Sequence, residues 1–384
     1  MTGSGAERPA PAATSPTRVT TVIGSLGSGG AERNLLRLSA ALARRGYSVT
    51  VLTIDAVIED FYEIPLVVRR VRAPSDCHLS PRWFDLISQY RRLSALRSAV
   101  LATSPDVVIS FIDTLNVSVL LALWNCPAPV IVSERIDPRF HDIGTRWRLL
   151  RRLTYPRARR VVLVAAAAMP WAQSRWPRWR VAFIPNPVMP GGRLASPLVA
   201  PVQPAVVAVG RLQPQKGFDL LIRAFASMAS DFPQWALEIV GEGPERQALL
   251  RLAEQLGVAE RVRLPGVQKD PFALRSGDTV FVLSSRYEGF PNALAEAMAI
   301  GLPVISFDCP SGPREIIRHG IDGLLVPAED VSALAAAMRR LALDGAERAR
   351  LAARAPEVLQ RFSPDVIIQS WERLIGEVMQ EAVA

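Results

Sequence analysis

Residues 284–301 read SSRYEGFPNALAEAMAIG and separate two short apolar segments, 280–283 and 302–307. Apolar runs of this length predict buried strands. Pro291 and Gly301 are the residue types that begin and end a helix. The stretch therefore predicts a strand, a loop, a helix and a second strand, which is the repeating unit of a parallel α/β sheet.

Two glutamates in this stretch are separated by seven residues, with Glu288 in the predicted loop and Glu296 in the predicted helix. The amide groups of Gly289, Phe290 and Asn292 are expected at the helix N-terminus, where free N–H groups bind anionic oxygen. This arrangement suits a phosphorylated sugar, because amides can hold the phosphate and carboxylates can hold hydroxyls. The alternative is an ordinary solvated helix face that carries two glutamates.

A glycine-rich turn, GSLGSGGAER at residues 24–33, lies between an apolar strand and a helical pattern over residues 35–45. A strand, a glycine loop and a helix bind phosphate in doubly wound folds. Gly29 and Gly30 leave the backbone open to a ligand. Asp55 ends the next strand, where dinucleotide-binding proteins have an acidic residue that binds the ribose. The glycines of this turn, however, do not have the G-x-G-x-x-G spacing of those proteins. A purely structural turn is the other interpretation.

Length and composition predict two domains. Residues 1–17 are rich in Ala, Pro, Gly, Ser and Thr, which predicts a disordered leader. The proline-rich connection over residues 191–204 predicts a linker. We therefore expect an N-terminal Rossmann-like domain over residues 18–190 and a C-terminal one over residues 205–362. A further helix is expected over residues 363–384.

In the turn after the first strand of the second domain, GRLQPQKG occupies residues 210–217. Lys216 and Lys269 are the only lysines among 45 basic residues, so a lysine between glycines is an unusual choice for this chain. The compact ammonium of Lys216 suits a diphosphate, and Arg211 can add a bidentate contact. A surface ion pair is the alternative.

Charge is distributed unevenly. Residues 1–192 hold 25 arginines against 13 acidic residues, whereas residues 193–384 hold 20 basic and 23 acidic residues. Arginine alternates with tryptophan and leucine in residues 146–160 and 171–180. Such segments can rest on an anionic membrane or hold a phosphorylated acceptor. No nucleic-acid-binding motif accompanies them, so no nucleic acid is expected. A solvated basic face is the alternative.

Three cysteines without disulfide or metal spacing favour a reducing compartment. The leader has no apolar core of a signal peptide, and no apolar run is long and uninterrupted enough to span a bilayer. The expected location is the cytoplasm, either free or at the inner face of the membrane.

Together these segments resemble glycosyltransferase family 4 over about residues 19–380. The resemblance rests on Glu288 and Glu296, on GRLQPQKG and on GGAE at residues 29–32. It implies the α/β GT-B fold, with two Rossmann-like doubly wound domains facing across a cleft and a terminal helix that returns to the first domain. It also implies retaining transfer of a sugar from a nucleotide diphosphate sugar to an acceptor hydroxyl. No metal or other cofactor is implied, in agreement with the absence of an Asp-x-Asp motif.

The resemblance assigns roles to the matching residues. Arg211 and Lys216 would stabilise the leaving diphosphate and Glu288 would hold sugar hydroxyls, so these three are the predicted catalytic residues. Glu296 would bind the ribose. The predicted donor-binding residues are Gly266, Val267, Gly289, Phe290, Pro291, Asn292 and Glu296. The predicted phosphate and acceptor loop is Gly29, Gly30 and Glu32. The acceptor-side candidates are Asp113, Glu134 and Arg135. Domain closure would bring the glycine loop to the donor.

Two departures concern the acceptor. Many family members have a histidine in the loop after the strand that matches residues 130–133. This chain has Glu134-Arg135-Ile136-Asp137 there, and the nearest histidine is His141. Residues 165–168 are alanines where a serine often stands. The Ser-Glu-Arg motif at residues 133–135 and CPSGPRE at residues 309–315 resemble a bacterial branch that builds polysaccharides or lipid-linked oligosaccharides.

An anionic or lipid-linked saccharide is thus the first expected acceptor, and a small soluble one, such as a phosphorylated cyclitol or a natural product intermediate, is the second. A nucleotide-sugar epimerase or a protein that only binds nucleotide sugars is the alternative from another class.

Overall fold

The computed structural model describes residues 15–54, 60–74, 86–189, 203–272 and 278–383. Residues 1–14 of the predicted leader, residues 191–202 of the predicted linker and Asp55 lie outside these ranges. Among the described residues, no helix combines the length and the apolar character that crossing a bilayer requires.

The first domain is built on a parallel sheet of seven strands in the order β3-β2-β1-β4-β5-β6-β7. The strands are β1 (Arg18–Ile23), β2 (Ser48–Thr53), β3 (Arg69–Arg72), β4 (Val107–Phe111), β5 (Val130–Ser133), β6 (Arg160–Leu163) and β7 (Val181–Phe183). The helices are α1 (Gly30–Arg44), α2 (Leu86–Leu101), α3 (Asp113–Ala122), α4 (Gly144–Thr154) and α5 (Met169–Gln173). Most strands are rich in valine and isoleucine because helices cover both faces of the sheet.

The second domain has a parallel sheet of six strands in the order β10-β9-β8-β11-β12-β13. The strands are β8 (Ala205–Val209), β9 (Ala236–Val240), β10 (Val262–Gly266), β11 (Thr279–Leu283), β12 (Val304–Asp308) and β13 (Leu324–Pro327). The helices are α6 (Phe218–Ala229), α7 (Arg246–Gln255), α8 (Asn292–Ala299), α9 (Pro313–Ile316), α10 (Val331–Leu343), α11 (Gly345–Arg354), α12 (Val358–Arg361) and α13 (Pro364–Val383). The expected fold class, two doubly wound domains, is confirmed.

Each sheet reverses its strand order once, between β1 and β4 and between β8 and β11. In open parallel sheets, ligands bind at such a switch point, beyond the carboxyl ends of the strands. The turns that follow β1, β4, β5, β8 and β11 carry most of the predicted site residues. The loops after β5 and β11 meet in a β-bridge between Ile136 and Gly289, so the two sheet edges face each other.

The last helix, α13, belongs to the core of the first domain although it follows the second in sequence. Its buried residues share one cluster with α1 and with the strands of the first sheet. Trp371 stacks on Phe111 with 6.3 Å between ring centroids. Helices α2 to α5 cover the opposite face of the same sheet.

Two elements differ from the sequence expectation. Helix α1 begins at Gly30, five residues before the predicted start at Leu35, and its added first turn contacts the second domain through Arg33 and Asn34. Strand β3 was not predicted, since three of its four residues are arginines. It lies at the edge of the sheet, where charged side chains are expected.

Candidate active site

Two of the predicted catalytic residues form an ion pair at the switch point of the second sheet. Lys216, in the turn after β8, places its Nζ 2.6 Å from Oε1 of Glu288, in the loop after β11. Ser285 Oγ donates to the same oxygen at 2.6 Å. Glu288 is only 5% exposed. A buried carboxylate is stable as an anion only when it is paired in this way.

The backbone around Lys216 fixes the direction of its side chain. Gly217 has φ +60°, which favours glycine, and a Cβ atom there would collide with the carbonyl oxygen of Ser284. A Cβ atom at Gly210 would lie 3.3 Å from the Lys216 stem. The two glycines therefore let the lysine lie flat against the turn and reach the loop after β11.

Arg211 faces the same cleft without a partner. It is exposed, and within the part of the chain that the structure describes it donates no hydrogen bond and lies near no carboxylate at salt-bridge distance. On the other side of the cleft, the carboxylate of Glu32 folds over Gly29 at the N-terminus of α1. Burial raises the pKa of Glu32, and the charge of Arg211 opposes this shift. Arg211 is thus available to an anionic ligand.

The second glutamate of the motif is shared between the domains. Arg33 Nη2 lies 2.6 Å from one oxygen of Glu296 and 2.7 Å from the other. Arg37 Nη1 lies 3.2 Å from Oε1. Both arginines belong to α1 of the first domain, one turn apart. The carboxylate assigned to the ribose therefore also holds the two domains together.

Asparagine side chains extend this contact. Asn292 Oδ1, at the start of α8, accepts hydrogen bonds from Asn34 at 3.0 Å and from Asn186 at 2.8 Å. A Cβ atom at Gly30 would lie 2.7 Å from Asn292 Nδ2. Gly289 forms a β-bridge with Ile136 of the first domain. The glycine loop thus already lies against the donor side of the cleft in this structure.

The remaining donor-side candidates contribute mainly backbone. Gly266 ends β10 with φ +85°, and Val267 is exposed beside it. Phe290 is buried against Phe362, with ring centroids 5.2 Å apart. Pro291 is also buried, so this part of the predicted site offers main-chain groups to a ligand.

On the acceptor side, Asp113 lies beside His141, the histidine nearest in sequence to Glu134, which was not among the predicted acceptor-side residues. His141 Nε2 lies 3.6 Å from Asp113 Oδ2. The His141 ring faces Tyr287, next to Glu288, with 6.4 Å between centroids. Ile112, immediately before Asp113, has φ +80°. Such backbone strain in a branched residue concentrates at functional sites.

The side chains of Glu134 and Arg135 make their contacts within the first domain. Arg135 lies over the Phe111 ring at 4.3 Å and donates to Ser133 Oγ at 3.1 Å and to Asn186. Glu134 is 2% exposed, and Tyr155 donates to it at 2.6 Å. Both side chains are thus held by neighbouring protein groups in this structure.

Burial makes Glu134 a pH-dependent element of the fold. Desolvation raises its pKa from 4.5 to about 7, although Arg151 and Tyr155 oppose the shift. The folded protein therefore holds a proton at pH values where the unfolded chain has lost it. The stability from this group is complete below the ordinary pKa and is lost as the pH rises through about 7.

We expect the Glu134→Gln variant to lack the pH-dependent stability that Glu134 contributes. From pH 5 to pH 8, the free energy of unfolding of the parent should fall by up to about 3 kcal/mol relative to the variant. Urea denaturation of both proteins at each pH measures the difference, because other titrating groups cancel. A difference that does not change with pH would contradict the assignment.

Two more contacts across the cleft were not predicted from the sequence. The carboxylate of Glu315 accepts hydrogen bonds from the backbone of Ala166 and Ala167, both at 3.1 Å. Ser311 donates to Asp137, a buried residue of the loop after β5. Ser311 and Glu315 belong to the CPSGPRE motif, but no local pattern in the sequence indicated that they contact the first domain. Arg33 and Arg37, by contrast, could have been found from their i, i+4 spacing directly after the glycine loop.

Known proteins match both halves. The model of Glycosyltransferase Family 4 matches residues 28–190, and that of Glycosyl transferases group 1 matches residues 196–358. An exopolysaccharide phosphotransferase of Streptomyces coelicolor is 34% identical over 317 residues, which are 80% of this chain. The chain spans 32% of that relative's length.

Two further similarities extend over nearly the whole chain. An α-1,4-N-acetyl-D-galactosaminyltransferase of Campylobacter jejuni, named for the substrate GalNAc-α-(1→4)-GalNAc-α-(1→3)-diNAcBac-PP-undecaprenol, is 28% identical over 362 residues. These are 94% of this chain and 99% of the relative. The structure of Anabaena HepE in complex with UDP and glucose has a TM-score of 0.75 at 20% identity, covering 94% of this chain and 99% of that one. The chain therefore belongs to the glycosyltransferases that join a family 4 domain to a group 1 domain, and its fold is GT-B.

Proposed function

We propose that this protein transfers a sugar from a nucleoside diphosphate sugar to an acceptor hydroxyl, with retention of configuration and without a metal ion. The observation that carries the proposal is the ion pair between Lys216 and the buried Glu288, with the unpaired Arg211 in the same turn as Lys216. A diphosphate leaving group needs positive charge at the point where its own charge develops. A sugar needs hydrogen-bond acceptors next to that charge.

Each group has a role in this reaction. Lys216 and Arg211 stabilise the departing diphosphate, and Glu288 accepts hydrogen bonds from sugar hydroxyls. Oε2 of Glu288 accepts no hydrogen bond from the described residues, so it is available for this role. The acceptor oxygen bonds to the anomeric carbon as the bond from that carbon to the phosphate oxygen breaks, and the acceptor proton passes to the phosphate. No side chain is assigned as a nucleophile.

For the acceptor we propose a saccharide carried on a lipid diphosphate, at the inner face of a bacterial membrane. The Campylobacter relative is named for such a substrate and is similar over its whole length. The first domain, which forms the acceptor side, also carries the excess of arginine. A lipid diphosphate is the kind of anion that this charge attracts.

The test is turnover with a panel of nucleoside diphosphate sugars and bacterial lipid extracts, followed by mass spectrometry. We expect one donor to release nucleoside diphosphate only when an acceptor is present, together with a product heavier by one sugar. Release of nucleoside monophosphate would instead show transfer of a sugar phosphate, the reaction type that the name of the Streptomyces relative suggests. Tight donor binding without any turnover would indicate a binding protein.

A further inference from the structure

Helix α4 presents leucines to solvent on its outer face. Leu149 and Leu153 are each 58% exposed although they lie one turn apart on the same side. At 3.6 residues per turn, both leucines lie between Arg146 and Arg152, which are also exposed. The opposite side of α4 packs into the core through Leu150 and Trp147. The helix therefore has a second apolar stripe that no described residue covers.

Two tryptophans enlarge this stripe beyond the end of α4. Trp124 is 41% exposed, and Arg157 lies over its ring at 3.2 Å from the centroid. Trp179 is 53% exposed under Arg180, which donates to the carbonyl oxygen of Pro156. We call the outer side of α4 together with these two tryptophans and their arginines the basic face.

The charge of the basic face is not neutralised. Asp142 is the only acidic residue in residues 138–189. Among the described residues, no carboxylate lies within salt-bridge distance of the arginines in and next to this face. These arginines are Arg146, Arg148, Arg152, Arg157, Arg175, Arg178 and Arg180. By contrast, Arg159 and Arg160, just inside the face, pair with Glu381.

The leucines between the arginines distinguish between two kinds of anionic partner, nucleic acid and a membrane surface. Nucleic acid would use the arginines through its phosphates, but it offers nothing apolar to an i, i+4 leucine pair. A bilayer surface offers both, because its acyl chains take leucine and tryptophan while anionic headgroups take arginine. The exposed tryptophans agree with this, since tryptophan favours the boundary between headgroups and acyl chains.

The basic face also lies beside the acceptor side of the cleft. Helix α4 starts at Gly144, three residues after His141, whose ring faces Tyr287 next to Glu288. A bilayer in contact with α4 would therefore lie close to the loop that lines the acceptor side. A saccharide anchored in that bilayer could enter the cleft from this side.

We propose that the basic face docks the protein on an anionic membrane, with the leucines and tryptophans at the acyl boundary and the arginines on headgroup phosphates. This proposal rests on the proposed function in one respect only: a lipid-linked acceptor is the reason why the protein would need a membrane. The binding itself can be tested without any nucleotide or saccharide.

The experiment is flotation of the full-length protein with vesicles of phosphatidylcholine alone or mixed with phosphatidylglycerol. Only the anionic vesicles should carry the protein, and raised salt should release it. The Arg146→Gln/Arg152→Gln variant should bind about 25-fold more weakly, since one basic residue near the surface contributes about five-fold. The Leu149→Ser/Leu153→Ser variant should lose about ten-fold or more, because its apolar contacts are removed.

Matched controls come from the second domain. Arg223→Gln/Arg251→Gln removes the same charge from exposed positions of α6 and α7. Leu343→Ser removes an exposed leucine at the end of α10. Both control variants should float like the parent. Equal binding to both kinds of vesicle, no binding to either, or an equal loss in the charge control would overturn the proposal. Failure of sugar transfer with normal flotation would affect only the proposed function.

Discussion

Replacing Lys216 by methionine is expected to lower kcat/KM for the sugar donor by about a hundred-fold or more, as removal of one group that stabilises a developing anion does in other enzymes. The loss has two physical sources. The leaving diphosphate loses a positive charge, and the buried carboxylate of Glu288 loses the partner 2.6 Å away. Steady-state release of nucleoside diphosphate measures the effect.

Glu288→Gln and the double variant show whether the two residues act as a unit. If they do, each single variant should lose nearly as much activity as the double variant, because removing either partner disables the other. Arg251→Met, which removes one exposed charge from α7, is the control and should keep parental activity. Independent, additive losses would contradict the role given to the pair, and a fully active Lys216→Met variant would overturn the proposed site.

Replacing Arg33 and Arg37 by alanine is expected to separate catalysis from donor binding. The donor is assigned to the second domain, whereas these arginines extend from α1 of the first domain to Glu296. Their removal should loosen the closed arrangement and lower kcat by about a hundred-fold, the cost of small misplacements of reacting groups. The dissociation constant of the donor should change by less than about ten-fold.

Small-angle scattering supplies the structural measurement for this variant. The double variant should have a larger radius of gyration than the parent, because two ion pairs that join the domains are gone. Arg44→Ala, at an exposed position of the same helix, should change neither the radius nor kcat. A donor affinity that falls as far as kcat would show instead that the arginines bind the donor directly.

The sequence predicted much of the second domain because its signals are local. Strand β8 ends at Val209 and helix α6 begins at Phe218, so the two elements flank the turn over residues 210–217 that the sequence indicated. Lys216 and Glu288 follow neighbouring strands, and the carboxyl ends of parallel strands meet at one edge of the sheet. The proximity of Lys216 and Glu288 could therefore be predicted from the sequence. The roles of these residues stay predictions.

What the sequence could not predict depends on partners that are distant in the chain. Glu134 contacts Tyr155 and Arg151 in the folded protein. Their distances from it in the sequence match no helix or strand periodicity, so the contact could not be predicted. The pairing of Arg33 with Glu296 joins residues 263 positions apart. Such a contact exists only when both domains are folded and face each other, so local propensity carries no information about it.

The contact between Glu315 and residues 166–167 uses main-chain hydrogens of the first domain, which every residue except proline provides. The bridge between Ile136 and Gly289 likewise requires no particular side chain at Ile136. These loops can therefore accumulate substitutions on their substrate-facing side without breaking the junction. Substitutions that adapt these loops to new acceptors should therefore leave the domain contact intact. Substitution of Gly289 should disrupt it, because a Cβ atom there would collide with the backbone of Arg135.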